Sequence, residues 1–187
     1  MDQQHIQAIL DFWFGDKNSA ERGAARSIWF ETNPVFDQEI RQRFGQLQQQ
    51  AAAGLLKHWL ASADGCLALI ILLDQFSRNL FRDDARAFAS DELARDYARY
   101  ALTQGYDQDR LSVERVFYYL PFEHAEDLNL QNQSVELFKQ LGVSGYLQHA
   151  ICHRDQIIRF GRFPGRNAAL QRTNTPAEDA FLKKPFC

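Results

Sequence analysis

Apolar residues recur at helical spacing along nearly the whole chain, and no stretch alternates as a strand would. Ile6, Ile9, Leu10 and Trp13 form one i, i+3, i+4, i+7 stripe, and Gly15 is placed to end that helix. A second helix is expected over Ala20 to Phe30. A third starts at Pro34, with Asn33 as its cap and Phe36, Ile40, Phe44 and Leu47 on one face. A short helix around Leu55–Leu60 follows, and Asp64 can cap the helix that carries LALIILLDQFSRNLFR (67–82). Small residues at Ala87, Ala94, Ala98 and Ala101 suit close packing of a helix over Arg86 to Gln104. Ser112 opens another, which should kink or stop before Pro121, and Pro121 suits the first turn of the next, to about Leu141. Ser144 begins a long helix that ends before Pro164. Thr175-Pro176-Ala177-Glu178 is a capping box that starts a short last helix, stopping near Pro185. The expected fold is a single all-α domain over residues 1–187, with about eight to ten helices and no sheet.

The balance of charge narrows the partners. A formal net charge of −3 gives no global field for nucleic acid, which needs a basic surface. The longest apolar run, Leu67 to Leu73, is far short of the ~20 residues of a membrane span. The opening MDQQHIQAIL lacks the basic region of a signal peptide, so a cytoplasmic location is expected. Cys66, Cys152 and Cys187 make neither a disulfide framework nor a zinc pattern and read as reduced, mostly buried thiols. The 15 phenylalanines call for a core dense in aromatic rings.

Three polar groups interrupt this apolar pattern. Asp74 and Arg78, four apart, face one side of their helix and can pair there, either as an internal tie or as an arginine that a carboxylate aims into a cavity. In Pro121–Asp127, one helical turn would hold Glu123, His124 and Asp127 within mutual reach. Such carboxylates and an imidazole perturb one another's pKa and can supply a general acid and base. They are equally the acidic residues that a helix start favours. Residues 153–172 carry Arg154, Arg159, Arg162, Arg166 and Arg172 against one acid, Asp155, which suits either a helix C-terminus or the grip of a carboxylate or phosphate. Antiparallel packing would bring Glu123, Asp127 and Arg162 into one ionic cluster, with Arg78 a further candidate. His149 and His153 are spaced i, i+4, but without an HExxH motif no metal or other cofactor is expected. Ser77 and Ser134 have no base beside them in the sequence.

The segments FWFG (12–15), WF (29–30), LALIILLDQFSRNLFR (67–82), AFASD (87–91), ERVFYYLPFEHAEDL (114–128), HRDQIIRFGRFPGRN (153–167) and TPAEDAFL (175–182) together resemble a bacterial family catalogued as domain of unknown function 924. The resemblance covers essentially the whole chain. It implies helical hairpins packed in a tetratricopeptide-repeat-like array. It also implies that Asp74, Gln75, Arg78 and Asn79, then Pro121, Phe122, Glu123, His124, Glu126 and Asp127, then His153, Arg154, Arg162, Pro164, Arg166 and Asn167 belong to the family pattern. Gly165 stands where that pattern usually has histidine.

Three functions are compatible with these residues. In the first, Arg78, Arg162 and Arg166, with Arg154, Asn167, Asp74, Gln75, Asn79 and His153 around them, bind a small anionic molecule or an acidic peptide end. In the second, the protein is an acid–base enzyme, a hydrolase or lyase, with Glu123 or Asp127 as base and His124 or His153 as acid. In the third, the ionic cluster only holds helices together. Fold class alone does not choose among them.

Overall fold

The structure, a computed structural model, describes residues 2–19 and 21–183, and among them it contains helices and no strand. The helices are α1 (Asp2–Phe14), α2 (Pro34–Ala52), α3 (Ala63–Ile70), α4 (Ser77–Leu80), α5 (Asp91–Thr103), α6 (Ser112–Glu123), α7 (Leu128–Leu141), α8 (Ser144–Phe160) and α9 (Pro176–Leu182). The all-α expectation therefore holds. No helix among the described residues is long and apolar enough to cross a membrane. The chain groups into two compact units, one of Met1–Arg82 and Arg86–Tyr118, the other of Asp83–Ala85 and Tyr119–Cys187.

The first unit is built around aromatic rings. Trp13 and Phe14 at the end of α1 meet Trp29, and Phe117 of α6 lies against all three with centroids 5.0–5.5 Å away. Phe76 packs on Trp13 at 5.4 Å and on Phe44 of α2 at 5.2 Å. Aromatic pairs of this kind contribute about 0.5–1.5 kcal/mol each beyond the area they bury. Asn33 caps α2 by accepting from the Val35 and Phe36 amides, and Pro34 fills the first helical position.

The polar run after Leu73 starts on a π-helical turn, which holds Asp74 and Gln75, and continues into α4 with Ser77, Arg78 and Asn79. α3 passes at Ile71 into a wider turn over Ile71–Phe76 and then into α4. Such turns are rare and break the helical ladder locally, and helical spacing in the sequence did not reveal this one. The cap of α3 is Ser62, whose hydroxyl accepts from the Gly65 amide at 3.1 Å. Asp64, expected as cap, pairs instead with Arg110 at 2.5 Å.

Other boundaries shifted for identifiable reasons. Residues 21–30 hold turns and a short 3₁₀ segment, Ser27–Trp29, in place of the expected helix; Ala20 lies outside the described residues. The segment around Leu55–Leu60 is a 3₁₀ turn, Lys57–Ala61. α5 begins at Asp91 rather than Arg86. Most consequential is α6, which runs through Pro121 to Glu123. Proline removes one backbone donor here, but Leu120 and Phe122 are buried at 5% and 0% exposure, and the ladder resumes with the His124 amide on the Leu120 carbonyl. Glu123 therefore ends one helix, and Asp127 caps the next by accepting from the Leu130 amide at 3.0 Å.

In the second unit α7 and α8 pack on each other across a tight connection. Gly142 takes a left-handed φ of +77° and closes α7 onto the Phe138 and Lys139 carbonyls. Phe138 meets Tyr119 at 5.7 Å and Tyr146 of α8 at 6.3 Å. The capping box at Thr175 starts α9 as expected, and Pro185, its expected end, lies outside the described residues. Cys66 is a free, buried thiol whose burial pushes its pKa up to about 12, and Cys187 lies outside the described residues.

Candidate functional site

The second unit brings Glu123 and His153 together. Glu123, at the end of α6, is 3% exposed, and its Oε1 lies 3.1 Å from Nδ1 of His153 on α8. The same ring nitrogen lies 3.0 Å from the His149 carbonyl, one turn back. Both neighbours of Nδ1 are acceptors, so Nδ1 carries the ring proton and donates. Nε2 is left as the basic lone pair of the neutral ring. The His153 side chain is 27% exposed, so the pair is only partly screened from water.

Burial of this ring opposes its protonation, whereas the Glu123 carboxylate 3.1 Å away favours it. Burial first, then repulsion from the neighbouring Arg166 guanidinium, pushes the His153 pKa down to about 4, against the favourable hydrogen bond to the His149 carbonyl. The Phe163 ring packs edge-on at 5.5 Å, and the His124 ring lies 6.4 Å away. Arg166 stacks over Phe163 at 4.7 Å and donates to the His124 carbonyl at 2.8 Å.

The turn that carries Glu123 is held from behind. Gln131 of α7, fully buried, donates its amide to the Glu123 carbonyl at 2.6 Å and to the Ala125 carbonyl at 2.7 Å. Together with Arg166 it ties three successive carbonyls that the end of α6 would otherwise leave unpaired. Nothing in the sequence singled out Gln131, because its role exists only once α7 packs against this turn.

The expected ionic cluster of Glu123, Asp127 and Arg162 does not form. Asp127 is spent as the cap of α7. Arg162 makes a bidentate pair with Glu178 at 2.6 and 2.8 Å and donates to the Thr173 carbonyl at 2.9 Å. Glu178 also accepts from the Thr175 amide at 2.6 Å, and these donors, Arg162 first, hold its carboxyl well below the usual range. Arg162 thus anchors the start of α9. Arg172 pairs bidentately with Glu126 at 2.9 and 3.1 Å, and Glu126 accepts from the Phe163 amide at 2.8 Å. Arg154 reaches Asp155 at 3.3 Å. Asn167, 1% exposed, donates to the Asn174 side chain at 2.7 Å. Four of the residues expected to grip an anion or supply a base (Asp127, Arg154, Arg162 and Asn167) thus have partners within the protein.

Asp74, Gln75, Arg78 and Asn79 lie in the first unit. Arg78 reaches Asp74 at 3.1 Å, as the i, i+4 spacing implies, and forks onto Asp91 at 2.9 and 3.1 Å. Asp74 is 1% exposed and accepts from Gln75 at 2.5 Å. Asn79 donates to Asp37 at 2.8 Å, and Arg82 pairs with the same carboxylate. Asp91 was not singled out in the sequence, although it opens α5 as an acidic first-turn residue. Among the described residues no group of three or more histidines, cysteines and carboxylates is placed to hold a metal ion.

Comparison with known proteins adds family membership and no activity. A family model described as "Bacterial protein of unknown function (DUF924)" matches residues 9–186. A solved structure of a protein of unknown function from Agrobacterium tumefaciens, ATU0120, is 41% identical, with a TM-score of 0.88 over 98% of this chain and 99% of that one. No functionally curated protein matches.

Proposed function

This chain belongs to the bacterial family of unknown function DUF924, and we propose that it performs acid–base chemistry on a small acidic substrate, with His153 as the general base. The observation that supports this reading is the buried Glu123 carboxylate on Nδ1 of a partly exposed histidine. A carboxylate there selects the tautomer with Nε2 unprotonated and steadies the imidazolium once Nε2 takes a proton. Gln131 keeps the carboxylate-bearing turn in place. Arg166 contributes positive charge at the site, which favours an acidic substrate over a neutral or basic one.

The experiment is a screen of hydrolase and lyase substrates bearing a carboxylate or phosphate, run on wild type, Glu123→Gln and His153→Gln. Turnover should fall on the acid side with a pKa near 4, as burial of the ring dictates. Glu123→Gln should cut kcat by about 10²–10⁴, the usual worth of a positioned base. Turnover that neither substitution changes would overturn the assignment.

One observation favours a second reading, binding without turnover. A ring with a pKa as low as about 4 is a weak base, better suited to accept a hydrogen bond from a ligand than to remove a proton. In that case members of the same panel raise the melting temperature of the wild type, and less so that of His153→Gln, while none is turned over.

A further inference from the structure

The two ends of α2 carry the most exposed large apolar side chains among the described residues of the first unit. Val35, in its first turn, is 80% exposed; Phe30, just before it, is 60% exposed; Leu55, just after it, is 68% exposed. Exposed apolar residues are ordinary when scattered singly. These instead flank one helix, with Val35 and Ala52 about 25 Å apart along its axis. Gly54, with a left-handed φ of +74°, turns the chain at the second end, and the Leu55 amide bonds back to the Gln50 carbonyl at 3.0 Å.

Between these ends α2 presents a seam without charge. Phe36, Ile40, Phe44, Gln48 and Ala51 are buried on the core side. Val35, Gln38, Gln42, Gly45, Gln49 and Ala52 recur on the other side at alternating steps of three and four, the spacing of a helix-pairing seam. All are exposed except Gly45, which is half-buried. The charges beside the seam are answered within the chain: Arg43 pairs with Glu39 at 2.8 Å, and Arg41 donates to the Leu80 carbonyl at 2.9 Å. Shallow grooves of about 370 and 240 Å³ lie along the two halves, the first against Val35, Gln38 and Gln42, the second against Gly45, Gln46 and Gln49.

We infer that α2 is a dimer interface, packed antiparallel on α2 of a second copy across a two-fold axis between Gln42 and Gly45. A two-fold contact must be complementary to itself, and this face is. Antiparallel pairing sets Gln42 against Gly45 of the other copy, Gln38 against Gln49 and Val35 against Ala52, so a larger side chain meets a smaller one or an amide meets an amide. A glutamine amide both donates and accepts, so it pairs with its own copy where a charge would be repelled. The same pairing brings Phe30 and Val35 of each copy to the Ala52–Leu55 end of the other, which covers both apolar ends at once. Parallel pairing would set Gly45 on Gly45 and leave the centre unfilled. The contact does not depend on the reaction proposed at His153.

Sedimentation equilibrium of the full chain from about 1 to 500 µM tests the inference, a range that brackets a micromolar Kd. One helix pair lies at the low end of specific interfaces, so a Kd on the order of 10 µM is expected. The mass should rise from 21.6 kDa toward twice that value. Gly45→Arg is the selective variant. A Cβ added there meets no neighbouring group within 4 Å, and arginine is the better helix former, so the fold should be kept. The variant places two like charges beside the axis, and Kd should rise about tenfold or more. Orientation is read by oxidising the double variant Val35→Cys, Ala52→Cys. Mass spectrometry should find position 35 of one copy joined to position 52 of the other, and neither single variant should crosslink to itself. A mass of 21.6 kDa at every concentration would overturn the inference and leave the face to a different partner. So would a dimer that Gly45→Arg does not weaken, or one that crosslinks position 35 to itself.

Discussion

Arg78→Met isolates the ion pair at the end of the π-helical turn. The guanidinium lies 3.1 Å from Asp74 and forks onto Asp91 at 2.9 and 3.1 Å, with side-chain exposures of 21%, 1% and 13% for Arg78, Asp74 and Asp91. At an effective dielectric of about 20, each contact carries about 4 kcal/mol of gross attraction. Desolvation of three charges offsets much of it, and the partial exposure of Arg78 and Asp91 offsets more. Removing the cation nevertheless leaves Asp74 charged where water does not reach. The expected net loss is about 3 kcal/mol, the lower end of the cost of breaking a buried pair. Urea unfolding followed by tryptophan fluorescence is the assay, because Trp13, Trp29 and Trp59 all lie in the first unit. Arg78→Lys keeps the charge without the fork and should lose about half as much. An Arg78→Met protein as stable as wild type would refute the reasoning and mark the arginine as a group kept at a stability cost for function.

Two further perturbations have clear signs. Gly65→Ala should lower stability by about 2 kcal/mol or more, because the new Cβ would meet the Trp59 carbonyl oxygen at 2.2 Å; an unchanged thermal melt would contradict this. His153 should make the protein acid-sensitive. Its pKa falls from 6.5 to about 4 on folding, so the unfolded chain binds the proton first and stability present above pH 6.5 is lost as pH falls toward 4. The loss is visible as the difference between wild type and His153→Gln when unfolding by circular dichroism is compared at the two ends of the window; a difference that does not change with pH would count against it.

Local signals in the sequence carried through to the structure, and signals that depend on packing did not. Asn33 with Pro34, Gly15, the capping box at Thr175 and the Asp74–Arg78 spacing all act within about one turn of chain, so their residues meet whatever the rest of the fold does. Pro121 misled because its cost depends on burial: in the last turn of a helix whose neighbours are fully packed, one lost hydrogen bond is tolerated. Once α6 ran to Glu123, the helical turn expected to unite Glu123, His124 and Asp127 no longer existed. Glu123 and His153 were each singled out by residue type, yet their contact joins two helices 30 positions apart and no spacing rule reports it. The arginines show the same limit. Their number was plain, but Arg162 meets Glu178 and Arg172 meets Glu126 only through tertiary packing.

Nitrogen-15 spectroscopy of the histidine rings tests the central claim most directly. With His153→Gln to assign its signals, the wild-type ring should show a protonated Nδ1 and a bare Nε2 at neutral pH, and should take its second proton only near pH 4. A His153 ring that is doubly protonated at neutral pH, or that carries its single proton on Nε2, would contradict the account.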